Sequence, residues 1–275
     1  MTTETIIIDS RRACWRLVIF CVAIEVALLV LDATINYGRL TELGMIRRLF
    51  NATREDGLAS WFGVTQVFMV ALTLWSIYAL AKFRGAPQRT VFGWMLLALF
   101  FTYLAVDDGS MIHERMGSAF EKIQETRQEN GEGSILEVFP SYAWQVVFMP
   151  VFATIGVLMM RFLWRELDAA SLRWAVFFAL GVLAFAVVLD FFEGLDPSHP
   201  FNVYAWVQRN TDLGTVTREW FGRSAYKTLR HFSKSIEEVL EMLAMTVLWA
   251  VFLLHFTHMA GELRIRFINS LGSKV

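Results

Sequence analysis

Six long apolar runs are the feature of this sequence that most limits its fold. Each run approaches the ~20 residues that an α-helix needs to cross the hydrocarbon core of a bilayer. The predicted spans are residues 14–36, 60–82, 91–113, 142–164, 172–193 and 236–258. We therefore expect an all-α fold, a polytopic transmembrane helical bundle in which residues 1–275 form a single integral membrane domain.

The composition favours the same class of protein. The chain is 56% hydrophobic and 19% charged, whereas soluble domains carry about a quarter charged residues. The lipid bilayer is accordingly the expected partner, with other membrane subunits as further candidates. A net charge of −1 and the lack of a Gly-rich phosphate loop in the sequence argue against nucleic acid as a partner.

Basic residues predict the orientation. Six spans place both termini on one side, and the short flanks on that side are dense in Arg and Lys, for example Arg11, Arg84 and Arg165. By the positive-inside rule we expect both termini in the cytoplasm of a bacterium, with the longer connections facing the periplasm. Of these connections, residues 114–128 predict a polar continuation of the third helix, and residues 215–233 predict an amphipathic helix in the interface.

Acidic residues collect at the ends of three predicted spans. Charged side chains inside a span cost about 2.5–3.5 kcal/mol each on insertion scales and usually mark function. An odd-numbered span ends on the side where an even-numbered span begins, so the ends of the third and fifth spans meet the start of the sixth. The predicted metal ligands are Asp107, His113, Glu114, Asp190, Glu193, Glu237, Glu238 and Glu241.

The spacing of these residues brings side chains together on each helix. Asp107 and Glu114 are seven residues apart and differ by only about 20° around the axis, while Asp190 and Glu193 form an i,i+3 pair. So many carboxylates near one depth need compensating positive charge, and a divalent cation would supply it. Oxygen ligands with one or two imidazoles favour Fe or Mn, with Ca as the alternative.

These residues predict a metal-dependent membrane enzyme of the di-iron or di-manganese type, an oxidoreductase acting on a lipid or another apolar small molecule. His113 is the predicted catalytic residue, which would activate water or dioxygen. The Glu-x-x-His pattern of soluble di-iron bundles is absent from the sequence, so the prediction depends on ligand chemistry and not on a motif.

Other interpretations of the acidic residues stay open. The chain would be an accessory or structural subunit of a larger membrane complex if its carboxylates bind a partner or Ca²⁺. It would be a proton or cation transporter if Glu25 and Asp32 extend the acidic path into the membrane. The simplest alternative is that the charges are solvated at helix ends. Glu25 itself is expected to be a protonated carboxyl bonded to another helix, and His255 and His258 are expected to be solvated.

Overall fold

The structure is a computed structural model that describes residues 9–130 and 139–261. Within these ranges the regular elements are helices, and six of them are long and apolar enough to cross a membrane. The predicted all-α bundle with six spans is therefore confirmed, while the side on which the termini lie stays a prediction. The spans are α1 (Ser10–Leu31) with a π-helical turn (Asp32–Tyr37), α3 (Leu58–Phe83), α4 (Gln88–Ser110), α6 (Ala143–Glu166), α7 (Ala170–Gly194) and α10 (Ala225–Ala260).

The last span organises the bundle. Helix α10 packs against α7, α3 and α1, and α3 packs against α4. With 36 residues α10 is about 54 Å long, which exceeds the ~30 Å hydrocarbon core. Its first turns therefore extend past the ends of α1, α4 and α7. We call this end of the bundle, where Asp190, Glu193 and Glu237 lie, the acidic end.

The apolar core lies between α3, α4 and α10. Trp94, Phe101 and Phe252 are fully buried there and meet edge to face. Small residues such as Ala71 and Ala98 are also fully buried, which lets the helix backbones approach closely. This packing holds the three helices in fixed rotation about their axes, and so fixes where the acidic side chains of α4 and α10 point.

Four shorter helices lie outside the spans: α2 (Gly44–Leu49), α5 (Ile112–Glu129), α8 (Val203–Asn210) and α9 (Leu213–Phe221). The segment 215–233, predicted as one amphipathic helix, is divided between α9 and the first turns of α10. Gly222 separates the two helices in the left-handed conformation at φ 65°. This turn lets α10 begin well before its apolar part.

A second backbone feature separates α4 from α5. Met111 adopts the left-handed conformation at φ 55° and ψ 42°, so the third span and the polar segment after it are two helices and not one. Helix α5 then packs on α6 through Gly117, where a Cβ atom would lie only 2.6 Å from the Cβ of Trp144. The left-handed backbone at Met111 and the close contact at Gly117 together set the direction of α5, so that its first residues lie at the acidic end.

Candidate metal centre

Three buried carboxylates meet at the acidic end. Asp190 and Glu193 come from the last turn of α7, and Glu237 comes from α10. One oxygen of each lies within 4.8 Å of the others, and the three residues are only 7%, 7% and 8% exposed. We call these residues the carboxylate triad. Their oxygens are close enough to share one cation.

Asp190 is held by the start of α6. Its Oδ2 accepts hydrogen bonds from Trp144 Nε1 at 3.1 Å and from Gln145 Nε2 at 2.8 Å. Both donors are fixed in direction because their residues belong to the first turn of the helix. Neutral donors orient a carboxylate without cancelling its charge, so Asp190 remains available to a cation.

Glu193 is held by a phenol and a guanidinium. Its Oε1 accepts hydrogen bonds from the Tyr142 hydroxyl at 3.2 Å and from Arg230 Nη2 at 3.4 Å. Burial, and then the charge of Glu193, raise the pKa of Tyr142 to about 12. The phenol therefore stays protonated near neutral pH and keeps its role as a donor.

Several oxygens in this region lack partners. Glu193 Oε2, Glu237 Oε2 and Gln145 Oε1 are buried and, within the described residues, accept no hydrogen bond. An unsatisfied buried polar group costs about 1–3 kcal/mol, and more when it is charged. The triad thus contains two carboxyl oxygens whose hydrogen-bonding requirements the described residues do not meet, beside a neutral amide oxygen. This is a suitable ligand set for a hard cation.

Lys234 supplies positive charge to the triad from one turn earlier on α10. Its electrostatic neighbours are Glu193, Glu238, Glu237 and Asp190. It forms no ion pair within 4.0 Å among the described residues, so it acts through space and not as a direct partner. Lys234 therefore offsets part of the negative charge and leaves the oxygens open.

A second group of acidic residues surrounds His113. Glu55, Asp108, Glu238 and Glu241 interact electrostatically with one another or with this imidazole. Glu241 also faces Asp190, and so links this group to the triad. We call these four residues with His113 the His113 group.

Glu55 belongs to this group but was not among the predicted ligands. It lies in the loop before α3, outside every predicted span. A charged residue costs little free energy in such a loop, so its presence there does not by itself indicate a function. Burial, and then the charge of Glu114, raise the pKa of Glu55. Counting spans places this loop at the acidic end, because it joins the first two spans there, so the position of Glu55 along the membrane normal can be read from the sequence.

Asp107 holds His113 in one orientation. Its Oδ1 accepts the backbone N–H of His113 at 2.9 Å, and its Oδ2 lies 2.9 Å from His113 Nδ1. Since a carboxylate only accepts, Nδ1 carries the proton and Nε2 is left to interact elsewhere. Burial lowers the pKa of His113, but the hydrogen bond to Asp107 and its charge outweigh this and raise the pKa overall.

Two further polar clusters lie beside α1. Asp32, fully buried, receives the Ser235 hydroxyl at 2.7 Å and lies 2.9 Å from His231 Nε2. Deeper in the membrane, Glu25 accepts hydrogen bonds from Gln66 at 3.0 Å and from Thr246 at 2.6 Å. Glu25 is therefore bonded to other helices, as the sequence indicated. Neither cluster joins the triad.

The predicted ligands fall into three roles. The structure brings Asp190, Glu193 and Glu237 together as one set of ligand atoms. Glu114 and Glu241 interact with His113, Glu238 interacts with Glu241, and Asp107 binds the imidazole instead of facing the triad.

The histidines at the opposite end take no part in the acidic groups. His255 is buried and stacks on Trp94, with ring centroids 5.0 Å apart. The exposed His258 lies 4.0 Å from Asp168. Of the two, only His258 has the solvated position expected from the sequence.

Comparison with known proteins gives one match. The profile of a family described as "Domain of unknown function (DUF8692)" matches residues 17–256, which is most of the chain. No curated protein matches the chain, and no solved structure matches it. The family description states no activity.

Proposed function

The chain belongs to the DUF8692 family, and we propose that it is a metal-dependent membrane enzyme whose divalent cation is held by the carboxylate triad. The observation that carries this proposal is the pair of buried, unpartnered oxygens Glu193 Oε2 and Glu237 Oε2. A single cation would satisfy both, with Asp190 as the third ligand. Lys234 lies near the three carboxylates of the triad and near Glu238. Its single positive charge balances only part of their negative charge, and a cation would balance more of it.

The ligand chemistry narrows the identity of the cation. All three triad ligands are carboxylate oxygens, which suit Mn²⁺, Mg²⁺ and Ca²⁺, whereas Fe and Zn sites commonly include imidazole. The nearest predicted imidazole ligand, His113, is held by Asp107 in the neighbouring group. We therefore place Mn²⁺ ahead of Fe²⁺ as the redox-active candidate, with Ca²⁺ as the alternative for a structural site.

The residues around the triad suit an enzyme acting on an amphiphilic molecule. A bound cation would polarise a substrate oxygen or lower the pKa of a bound water. His113 would exchange a proton through Nε2, because Asp107 fixes its other nitrogen. Arg230 and Lys234 would orient an anionic part of the substrate. We further propose that the acidic end faces the periplasm, where lipids of the outer leaflet reach the site.

Metal binding by a matched pair of variants tests the proposal. Protein stripped with a chelator is titrated with Mn²⁺ alone and with Ca²⁺ alone, and bound metal is counted by mass spectrometry. Glu237→Gln keeps the shape of the side chain but replaces one carboxyl oxygen by an amide nitrogen, which is a poor ligand for a hard cation, so we expect the affinity to fall by about tenfold or more. Glu219→Gln, which changes an exposed carboxylate on α9, should bind as the unmodified protein does.

The result that would overturn the metal assignment is equal stoichiometry and affinity in all three proteins. If metal binds and depends on Glu237, the enzyme is tested next with His113→Gln. This variant should keep the metal and lose turnover of a lipid substrate. Metal retained with no turnover in the unmodified protein would count for a structural site.

The second candidate function is that of a subunit in a membrane complex. One observation favours it: only 11% of the apolar window of α6 is buried within the chain, against 50% for α3. Val157 and Leu158 are among its exposed apolar side chains, at 68% and 60%. Such a helix is available to lipid or to a helix of another chain. Stable co-purification of a second protein in mild detergent would favour this function.

The transporter has less support. On the far side of Glu25 from the acidic end, the core is filled by Val70, Leu74 and Leu248, each fully buried. A proton path through this layer would need polar groups or water. Flux in proteoliposomes that is lost in Glu25→Gln would favour the transporter over the enzyme.

A further inference from the structure

An open apolar recess lies beside the last turn of α7. Its volume is about 470 Å³, and its lining comes from α7, the following loop and α8. The lining residues are Phe191, Phe192, Pro200, Phe201, Val203 and Trp206. Every one of these side chains is apolar, which is unusual for a recess so close to a cluster of charges.

The last turn of α7 contributes residues to both the recess and the carboxylate triad. Asp190 and Glu193 are buried on the side that faces α10, whereas Phe191 and Phe192 between them line the recess. The recess and the triad therefore lie on different sides of the last turn of α7. The polar end of a ligand in the recess could reach the triad around the end of α7, where the helix ends at Gly194.

The recess continues a lipid-facing surface. Phe178, Phe185 and Phe192 are seven residues apart, so they lie on one side of α7. Phe178 and Phe185 are 53% and 54% exposed within the spanning helix, and exposed aromatic side chains at that depth contact lipid chains. The stripe leads to the recess, so a chain that lies along α7 enters it without crossing a polar surface.

Helix α8 supplies the other wall and a positive charge. Trp206 is 55% exposed, and Arg209 follows three residues later on the same side of the helix. Arg209 is exposed and forms no hydrogen bond or ion pair with another residue in the described part of the chain. Trp is enriched at the headgroup boundary, and a guanidinium binds phosphate well. The apolar recess with Arg209 beside it thus complements an anionic amphiphile.

We propose that the recess binds an acyl chain of an anionic phospholipid from the adjoining leaflet, with the lipid phosphate at Arg209. The charge of Arg209 and the continuity with the lipid-facing stripe of α7 select this occupant. The binding site itself does not depend on the proposed function. The further step, that the bound phospholipid belongs to the substrate class of the metal centre, rests on that function.

Photo-labelling in lipid nanodiscs tests the site. An anionic phosphatidylglycerol or a zwitterionic phosphatidylcholine, each with a diazirine in its acyl chain, is activated by light, and labelled peptides are identified by mass spectrometry. We expect residues 200–206 to be labelled several-fold more by the anionic lipid. Trp206→Ala should lower this labelling several-fold. Trp220→Ala, which removes an exposed tryptophan on α9 outside the recess, should leave the labelling unchanged.

The outcomes separate the parts of the proposal. Labelling of residues 200–206 that does not exceed that of the peptide around Phe178 would mean ordinary bulk lipid contact and would overturn the site. Arg209→Gln should abolish the preference for the anionic lipid, and a preference that survives would overturn the role of Arg209. Thermal unfolding of Trp206→Ala like that of the unmodified protein excludes misfolding as the cause. Glu237→Gln should lose metal binding and keep the labelling of residues 200–206. The metal assignment and the lipid site can therefore be overturned independently of each other.

Discussion

At the scale of single residues, His113 shows how neighbours decide what a side chain can do. It follows Met111, whose left-handed backbone directs the chain back toward α4. Asp107 then binds both the backbone and the ring of His113. The imidazole is thus positioned by one carboxylate and faces others, including Glu241. A residue chosen from the sequence as a ligand is therefore also suited to proton transfer.

The raised pKa of His113 predicts a pH dependence of stability in metal-free protein. Its value in the folded state lies above the ordinary 6.5. The imidazolium bound to Asp107 therefore stabilises the fold fully below pH 6.5, and this contribution is lost as pH rises through the higher folded value. Melting in chelator from about pH 6 to about pH 9 should show a fall in stability that is smaller in His113→Gln than in the unmodified protein. His199→Gln should retain the fall, and an unchanged profile in His113→Gln would contradict the prediction.

At the scale of elements, the contact between α5 and α6 places His113 beside the triad. The His113 ring meets the edge of Trp144 with centroids 5.1 Å apart, and Trp144 in turn donates to Asp190. The contact depends on Gly117, one turn after His113. A side chain there would collide with the backbone and Cβ of Trp144 at 2.6–2.9 Å. The close approach of the helices at Gly117 therefore brings the His113 group next to the carboxylate triad.

Gly117→Ala should therefore separate α5 from α6. We expect the free energy of unfolding to fall by about 1–3 kcal/mol, because overpacking forces backbone shifts. Chemical unfolding in detergent measures this value. The matched control is Gly156→Ala in α6, where a Cβ atom meets nothing within 4 Å. Alanine there should leave stability unchanged or raise it by up to about 1 kcal/mol, since glycine is the poorer helix former. Equal effects of the two substitutions would refute the close contact.

At the scale of the whole molecule, Asp32 fastens the first span to the last. His231 and Ser235 of α10 bind Asp32 Oδ2, while Asn36 and the backbone of Ala52 donate to Oδ1 at 2.7 Å and 3.4 Å. The π-helical turn that begins at Asp32 sets this geometry, and such turns recur at functional sites. Helix α1 packs chiefly against α10, so this cluster is a principal polar link between the two.

Removing that carboxylate should destabilise the whole bundle. Asp32→Ala leaves a buried imidazole, hydroxyl and amide without their acceptor, and we expect a loss of about 3–5 kcal/mol. Unfolding in mixed micelles with increasing SDS measures the change. Asp212→Ala alters an exposed aspartate before α9 whose side chain makes no capping bond. It should change stability by less than about 0.5 kcal/mol. A similarly small effect for Asp32→Ala would show that other contacts hold α1.

The membrane-spanning fold, and the end of the bundle at which the acidic residues gather, can be read from the sequence alone. The bilayer fixes the length of each span, and each span reverses the direction of the chain. The positions of Asp190 and Glu237 along the membrane normal therefore follow from counting spans.

Which carboxylates share a site cannot be read from the sequence, because it depends on how each helix is rotated about its axis in the folded bundle. In lipid the inward and outward faces are both apolar: on α7, Val176 is fully buried and Phe178 is 53% exposed. Hydropathy carries little information on rotation, so the pairing of Asp107 with His113 and the approach of Glu55 to this imidazole emerged only from the packing of the helices.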